Sequence, residues 1–389
     1  MTRAMMADLR RDMETGFARL EMKIEQRAAD IMKWSFVFLI TVFSACGDGT
    51  GPGRVVAGVD LDELFAAPTA AEVAAVSDAW DGRDVSVQAL ELLRVDTVTV
   101  GIATQVIVRI VSHTVGGVVH YGAVVVPAGA PAAGLPLLVL GHGGDDGIDV
   151  DDALLLLNYG LGDAVDDFVF VVPSFRSEPL VFHDVEYRSG GTPSPWDRDV
   201  DDALALLSAA ADIAPEADTS RIGIVGFSRG AGVGLLMAVR EPRIDAVVEF
   251  FGPTDFFDTF VQEVVEEALL GMPRNLPGLA DLDAQFIQPL KRAELTIQEV
   301  RLELLRRSPV YFVDRLPQVQ VHHGTADSTV SVSQAERLID VMEQAGRQPP
   351  GFEPFLYEGG GHNPLTLFGS LDRTIGFLRR ALSILAAVS

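Results

Sequence analysis

RIGIVGFSRGAGVGLLMA, residues 221–238, reads in three parts. Arg221 to Val225 is a short apolar run of the kind buried in a parallel sheet, and Ala231 to Ala238 has the texture of a helix. Between them Gly226-Phe227-Ser228-Arg229-Gly230 sets one serine in a G-x-S-x-G turn. A strand that turns into a helix over so few residues needs small neighbours, because side chains at the flanking positions would strike sheet or helix. The bare pattern arises readily in a chain this rich in glycine and serine; the strand before it and the helix after it make Ser228 a candidate nucleophile.

The same alternation continues on both sides. Upstream stand Leu135 to Leu140, a helical stretch near 149–159, Phe168 to Val172 and a helix over 198–211. Downstream come Ile244 to Phe251, a strand at 318–323, a helix at 331–345, a strand at 352–357 and a closing helix from about 366 to 387. Short apolar strands between helices predict a mostly parallel sheet covered on both faces. Ahead of it, the β-branched runs 92–100, 104–111 and 118–126 predict an antiparallel entry, ended by Pro127 to Pro131. Residues 255–308 break the rhythm with helical pieces interrupted by Pro273, Pro277 and Pro289, which predicts an inserted helical cap.

A serine hydroxyl needs a base, and on an α/β sheet of this kind the partners follow it in the order acid, then histidine. Of seven histidines, His113, His120, His142 and His183 precede Ser228, while His322 and His323 lie on the strand before the best acid candidate. His362, in Gly359-Gly360-Gly361-His362-Asn363-Pro364, is the one left. Asp327 follows the 318–323 strand, 35 residues before His362, an interval that fits one helix and one strand. Asp255, after the preceding strand, is the rival acid. A tetrahedral oxyanion needs two donors: the backbone N–H of Arg229, and one from the turn Gly141-His142-Gly143-Gly144-Asp145, with Gly144 preferred and Gly143 next. His142 reads as a buried support of that turn. Trp196 and Phe175, with apolar residues of the cap, are the expected substrate-pocket residues.

With these residues in place, the stretch from about 100 to 385 resembles the prolyl-oligopeptidase-like group of the α/β-hydrolase superfamily and its dienelactone-hydrolase and acyl-esterase branches. The matching segments are Gly-His-Gly-Gly from 141, Pro173 to Arg176, Trp196 to Asp202, Asp218 to Gly230, Ser308-Pro309 and His323 to Asp327. Ala231 stands where the family often has a further glycine, and Arg176-Ser177 where Arg-Gly is usual. The resemblance implies an α/β-hydrolase fold and acyl transfer through a serine. The leading expectation is a carboxylic-ester hydrolase for short-to-medium acyl groups. A small peptidase or amidase shares the mechanism, and a binding protein on a hydrolase scaffold is the reading from outside enzymology. No β-propeller fits ahead of residue 130.

Composition narrows the partners. The formal charge is −25, with 30 Lys and Arg against 55 Asp and Glu, which disfavours nucleic acid and suits a small neutral or cationic ester. No metal-ligand spacing, phosphate loop or dinucleotide fingerprint appears, so neither a metal nor another cofactor is expected. Cys46, the one cysteine, excludes an intrachain disulfide. It follows Met32-Lys33-Trp34 and the apolar run Phe36 to Phe43, the order of an export signal, and Phe43-Ser44-Ala45-Cys46 resembles a bacterial lipobox. The bland alternative is a cysteine buried behind a core helix. The expected organisation is an N-terminal segment 1–46 with a lipoprotein-type signal, a tether and extension 47–85, and a catalytic domain 86–389 with its cap at about 255–308. The expected location is the bacterial cell envelope, on the membrane through Cys46. Full-length protein should then sediment with membranes and Cys46→Ser should be soluble; an intact, unmodified N-terminus by mass spectrometry would refute the anchor.

Overall fold

The computed structural model describes residues 53–101 and 104–384. The expected signal, Cys46 and the start of the tether lie outside them. The described chain opens with a small hairpin, β1 (Val55–Val56) and β2 (Val59–Asp60), then α1 (Leu61–Leu64) and α2 (Ala70–Asp81). Three long strands follow, β3 (Ala89–Val100), β4 (Thr104–Val115) and β5 (Val118–Pro127), and then β6 (Leu135–Gly141). Next come β7 (Ile148–Asp149), α3 (Val150–Leu161), β8 (Val169–Pro173), β9 (Pro179–Phe182) and β10 (Val185–Arg188). The centre is α4 (Arg198–Ile213), β11 (Ala217–Phe227), α5 (Arg229–Arg240) and β12 (Ile244–Phe250). The inserted helices are α6 (Thr259–Leu269), α7 (Leu279–Leu282), α8 (Gln288–Lys291) and α9 (Ile297–Leu305). The chain closes with β13 (Gln318–Gly324), α10 (Ser333–Gln344), β14 (Phe352–Tyr357) and α11 (Ser370–Ala381).

Nine strands form one sheet in the order β14-β13-β12-β11-β6-β8-β5-β4-β3. From β14 to β8 neighbours are parallel; β8 to β5, β5 to β4 and β4 to β3 are antiparallel. The sequence reading of an antiparallel entry to a parallel sheet therefore describes the molecule. Successive strand residues feed opposite faces. In β6, Leu137 and Val139 join the core shared with α4, α5 and α10, and Leu138 and Leu140 join the core shared with α3 and α11. Helices buried on one side show the matching period: Ala335, Leu338 and Met342 of α10 are buried while the rest of that helix is largely polar. α5 is the exception. Every residue from Arg229 to Val239 is buried, because the helix lies between the sheet, α4 and the turn Pro309–Arg315.

Three features lay beyond the sequence reading. β11 begins at Ala217, with a register shift against β6 between Asp218 and Ile222. β7, β9 and β10 make a separate three-stranded sheet from strands of two to four residues, too short to carry a visible period. Residues 53–85 are no loose leader. Val59, Leu61, Leu64, Phe65, Val76 and Trp80 lie in the main core, and Trp80 packs on Phe312 with ring centroids 4.7 Å apart.

A charged clamp joins this extension to the cap. Arg301 of α9 donates to both carboxylate oxygens of Glu72, at 2.8 and 3.0 Å, and to the carbonyls of Glu63, Leu64 and Ala66 at the end of α1. The Arg301 hydrogen bond holds the Glu72 carboxyl down at about 2. Truncating one partner of a buried pair strands the other charge, so Arg301→Ala should cost about 3–5 kcal/mol of unfolding free energy in a denaturant titration at pH 7. Because the carboxyl is depressed, the clamp stabilises fully above the unfolded value of about 4.3 and is lost as pH falls towards 2; the difference between wild type and variant should shrink over that window.

Candidate active site

β11 delivers Ser228 into a turn with φ 52° and ψ −119°, the left-handed side of backbone space that a residue with a side chain occupies only when its surroundings impose it. The Ser228 N–H donates to Phe250 O at 2.9 Å, tying the turn to the end of β12. Close approach explains the flanking glycines. A Cβ on Gly230 would lie 2.2 Å from the Gly141 carbonyl carbon, and one on Gly226 would lie 2.4 Å from Gly230 O. The alanine at 231 is accommodated because Gly252 faces it; a Cβ on Gly252 would come within 2.6 Å of the Ala231 methyl.

Asp327 and His362 are brought together. His362 Nδ1 donates to Asp327 Oδ2 at 2.7 Å. The other oxygen of Asp327 accepts from the N–H groups of Thr329 and Val330 at 2.8 and 3.0 Å, so the carboxylate is held on both sides and wholly buried. Two loops are laced to keep this pair in register: Ala326 N–H donates to Gly360 O, Thr325 N–H to Tyr357 O, and Gly359 N–H to Thr325 Oγ1. A carboxylate that accepts from Nδ1 leaves Nε2 of the neutral ring as the acceptor. The imidazole leans on Phe251, centroids 4.3 Å apart, one residue beyond the Phe250 carbonyl that holds Ser228. Among the described residues no hydrogen bond joins Ser228 Oγ to His362. The rival acid is occupied elsewhere. Asp255 accepts from Phe257 N–H at 2.8 Å, Arg337 Nε at 3.2 Å and Tyr311 OH at 3.3 Å.

The glycine-rich turn after β6 runs beside Ser228: a Cβ on Gly143 would stand 3.1 Å from Ser228 Cβ. Both glycine carbonyls of the turn are gripped from within the protein. His142 Nδ1–H donates to Gly143 O at 3.1 Å, and Arg229 Nη1 donates to Gly144 O at 3.3 Å. In a planar trans peptide the N–H points opposite to the preceding carbonyl, so the grip on Gly143 O turns the Gly144 N–H to the other side of the turn. That N–H has no acceptor among the described residues, and the space around Gly144, at φ +80°, is open. The N–H of Arg229, in the first turn of α5, likewise has no carbonyl four residues back within the helix.

Beneath the turn lies a charge cluster that the sequence did not announce. The Arg229 guanidinium is buried; its Nε and Nη2 donate to Asp199 Oδ2 at 3.1 and 2.7 Å, and its Nη1 donates to Glu178 Oε1. It lies over the Phe175 ring at 4.9 Å, and that ring stacks on His142 at 4.1 Å. Burial pushes the Glu178 carboxyl up to about 7 and His142 down to about 3. A second buried acid, Glu249 on β12, accepts from Gly252 N–H and is raised by burial to about 8. Asp199 was within reach of the sequence, in the segment entering α4; Glu178 and Glu249 carried no spacing signal.

The pocket residues fare differently. Phe175 is fully buried between His142 and Arg229, so it supports the turn from below and does not line the space a substrate would enter. The expectation failed because a residue two places past a strand end can point down into the core as readily as up. Trp196 is also buried, under the cap, edge-on to Phe256 at 5.2 Å. The cap lies across the loops that follow β6 and β8: Gly278 N–H donates to Asp145 Oδ2 at 3.3 Å, Gln285 Nε2 to Pro193 O at 2.9 Å, and Arg307 Nε to Pro195 O at 2.9 Å. Of its apolar residues, Phe256, Phe257 and Leu269 are in the core, Leu276, Phe260 and Phe286 are half-buried, and Leu270 and Met272 face solvent. Among the described residues no group of three or more His, Cys, Asp or Glu is placed to hold a metal ion.

The chain is similar to known hydrolases. The BD-FAE family, an α/β-hydrolase family, matches residues 171–342. The acetyl xylan esterase from Paenibacillus sp. R4 superposes with a TM-score of 0.56 at 16% identity, covering 82% of this chain and 99% of the other. Acetyl xylan esterase 1 from Thermoanaerobacterium sp. JW/SL YS485 gives 0.53 at 20% identity, with 82% and 93% covered. No curated protein sequence matches the chain. At such identities the likeness speaks for the fold.

The packing at the turn makes its own prediction. Gly230→Ala would force α5 off the sheet and should cost more than about 3 kcal/mol, the upper end of ordinary overpacking. Gly144→Ala meets only backbone strain and should cost about 1–2 kcal/mol. Thermal melts of the two variants would show the ranking, and equal losses would mean that the close approach at Gly230 relaxes.

Proposed function

The chain has the α/β-hydrolase fold, and from that premise we propose that it is a serine hydrolase that cleaves short-to-medium acyl esters through an acyl-enzyme. The observation that carries the reading is the conjunction at one sheet edge: a strained, glycine-walled Ser228, and an Asp327–His362 pair whose free imidazole nitrogen is an acceptor. In this reading His362 takes the Ser228 proton as Oγ attacks the ester carbonyl, and Asp327 holds the ring in the required tautomer and stabilises its cationic form. The N–H groups of Arg229 and Gly144 receive the oxyanion. Collapse of the tetrahedral intermediate expels the alcohol, which takes the proton back from His362; water then repeats the sequence to release the acid.

The substrate class rests on the cap and the charge. A cap that meets the rest of the domain through Phe256, Phe257 and Trp196 leaves a shallow apolar approach, suited to a small acyl group, and the chain's net charge of −25 disfavours anionic substrates. Attachment to a bacterial membrane through a lipidated Cys46 is part of the same proposal.

Ser228→Ala and His362→Ala should each abolish nearly all turnover while the fold persists, since the two act as a unit. Asp327→Asn should lower kcat by orders of magnitude, on the order of 10⁴ where the same substitution has been made in a triad, whereas Asp255→Asn should leave kcat near wild type. Fluorophosphonate labelling that survives in the serine variant would overturn the assignment. For the substrate, kcat/KM should be higher for a butyrate ester than for a palmitate ester or a proline anilide. Preference for the anilide would make the protein a peptidase.

A further inference from the structure

The guanidinium of Arg229 is an unusual occupant of its place. It belongs to the residue directly after the proposed nucleophile, is buried to 1% exposure, and is met by two buried carboxylates, Asp199 and Glu178. Burying such a group is a poor way to gain stability, because desolvation offsets the attraction, and an apolar side chain of similar volume would fill the space as well. Its geometry has a different consequence. Asp199 accepts from Nε and Nη2 and so fixes the plane of the guanidinium; the same Asp199 carboxylate accepts from the N–H groups of Arg176 and Trp196, at 3.3 and 3.2 Å, which anchors it to the loops around α4. With the plane fixed, Nη1 is directed at Glu178 and at Gly144 O. The ring of Phe175 closes the underside.

We infer that the Arg229 side chain is a positioning residue for the oxyanion-side turn: by holding Gly144 O it fixes the peptide plane between Gly144 and Asp145, and with His142 holding Gly143 O it leaves Gly144 one orientation. The residue whose backbone offers one donor thus sets, through its side chain, the attitude of the other. Without the guanidinium, Gly144 at φ +80° has neither a Cβ nor any atom near its Cβ position to stop it turning. The effect belongs to the transition state, where charge develops on the oxygen, and not to the ground-state ester. The inference rests on the serine-hydrolase reading and assigns this side chain a role within it.

The test compares Arg229→Met and Arg229→Lys with wild type in the full chain. Lysine keeps a cation between the carboxylates, but its single ammonium cannot serve Asp199, Glu178 and Gly144 O with a rigid fork. In folded Arg229→Met, kcat for a butyrate ester should fall about ten- to a hundredfold, short of the 10²–10³ for losing an oxyanion donor outright. KM should stay within about twofold, as expected for an interaction made only in the transition state. The rate of fluorophosphonate labelling should fall in parallel, because that reaction uses the same donors, and lysine should restore part of both rates. Folding is checked by circular dichroism and thermal melting; if the methionine variant does not fold, the lysine variant carries the test alone. Wild-type kcat and labelling rate in whichever variants fold, or a loss confined to KM, would overturn the role of the side chain and leave the serine-hydrolase reading standing. Failure of fluorophosphonate to label wild type at Ser228 would overturn that reading, and this inference with it.

Discussion

Ser228 is held at φ 52° and ψ −119°, a conformation that costs a side-chain-bearing residue about 1–3 kcal/mol unless its surroundings fix it. Much of the architecture follows from fixing it. β11 must end at Phe227 and α5 begin at Arg229 with no intervening loop, so the helix lies directly against the sheet. That in turn requires backbone-to-backbone contact, which is why Gly141 and Gly230 meet without room for a Cβ. The contact brings the turn after β6 alongside Ser228, and the Ser228 N–H bond to Phe250 O fixes the end of β12, on whose next residue the His362 ring rests. One strained residue thus sets the spacing of three strand ends.

Around this centre the polar interior is unusually rich, and it is not spread evenly. Asp199, Glu178 and Arg229 sit under the turn after β6, Asp202 pairs with Arg176, and Asp197 and Asp201 pair with Arg83. Burial raises Asp202 to about 7, as it raises Glu178 and Glu249, so the interior keeps its charge low by holding protons as well as by pairing. A chain of net charge −25 meets here the problem of acidic residues drawn into a core, and arginine, with a fork that serves two acceptors at once, is its answer in every one of these pairs.

The cap and the N-terminal extension form a second layer that depends on the first. The cap is bonded to the loops around the turn through Gly278, Gln285 and Arg307, and the extension is bonded to the cap through Glu72 and Arg301. A route of direct contacts therefore runs from residue 72 to the neighbourhood of Ser228 across elements far apart in the chain. The approach to the serine is shaped by contacts between segments separated by more than two hundred residues.

Local pattern by itself determined the order of elements, the parallel sheet with its antiparallel entry, the inserted helices at 255–308, and Ser228 and His362 as candidates. Each of these leaves a mark within a few residues: an apolar run, a proline, a glycine-flanked turn. The extension at 53–85 and the short strands β7, β9 and β10 left none, because two to four residues cannot show a period and an amphipathic helix does not say what it packs on. Chain order favoured Asp327, but only the lacing of its loop to that of His362 separates it from Asp255, which three other donors occupy. Only the tertiary structure decided that Phe175 points down, and that Arg229, Glu178 and Asp199 meet. Sequence records which side chains can hydrogen-bond; which of them share a buried site depends on strand ends brought side by side, and the nearest of these partners are 21 residues apart along the chain.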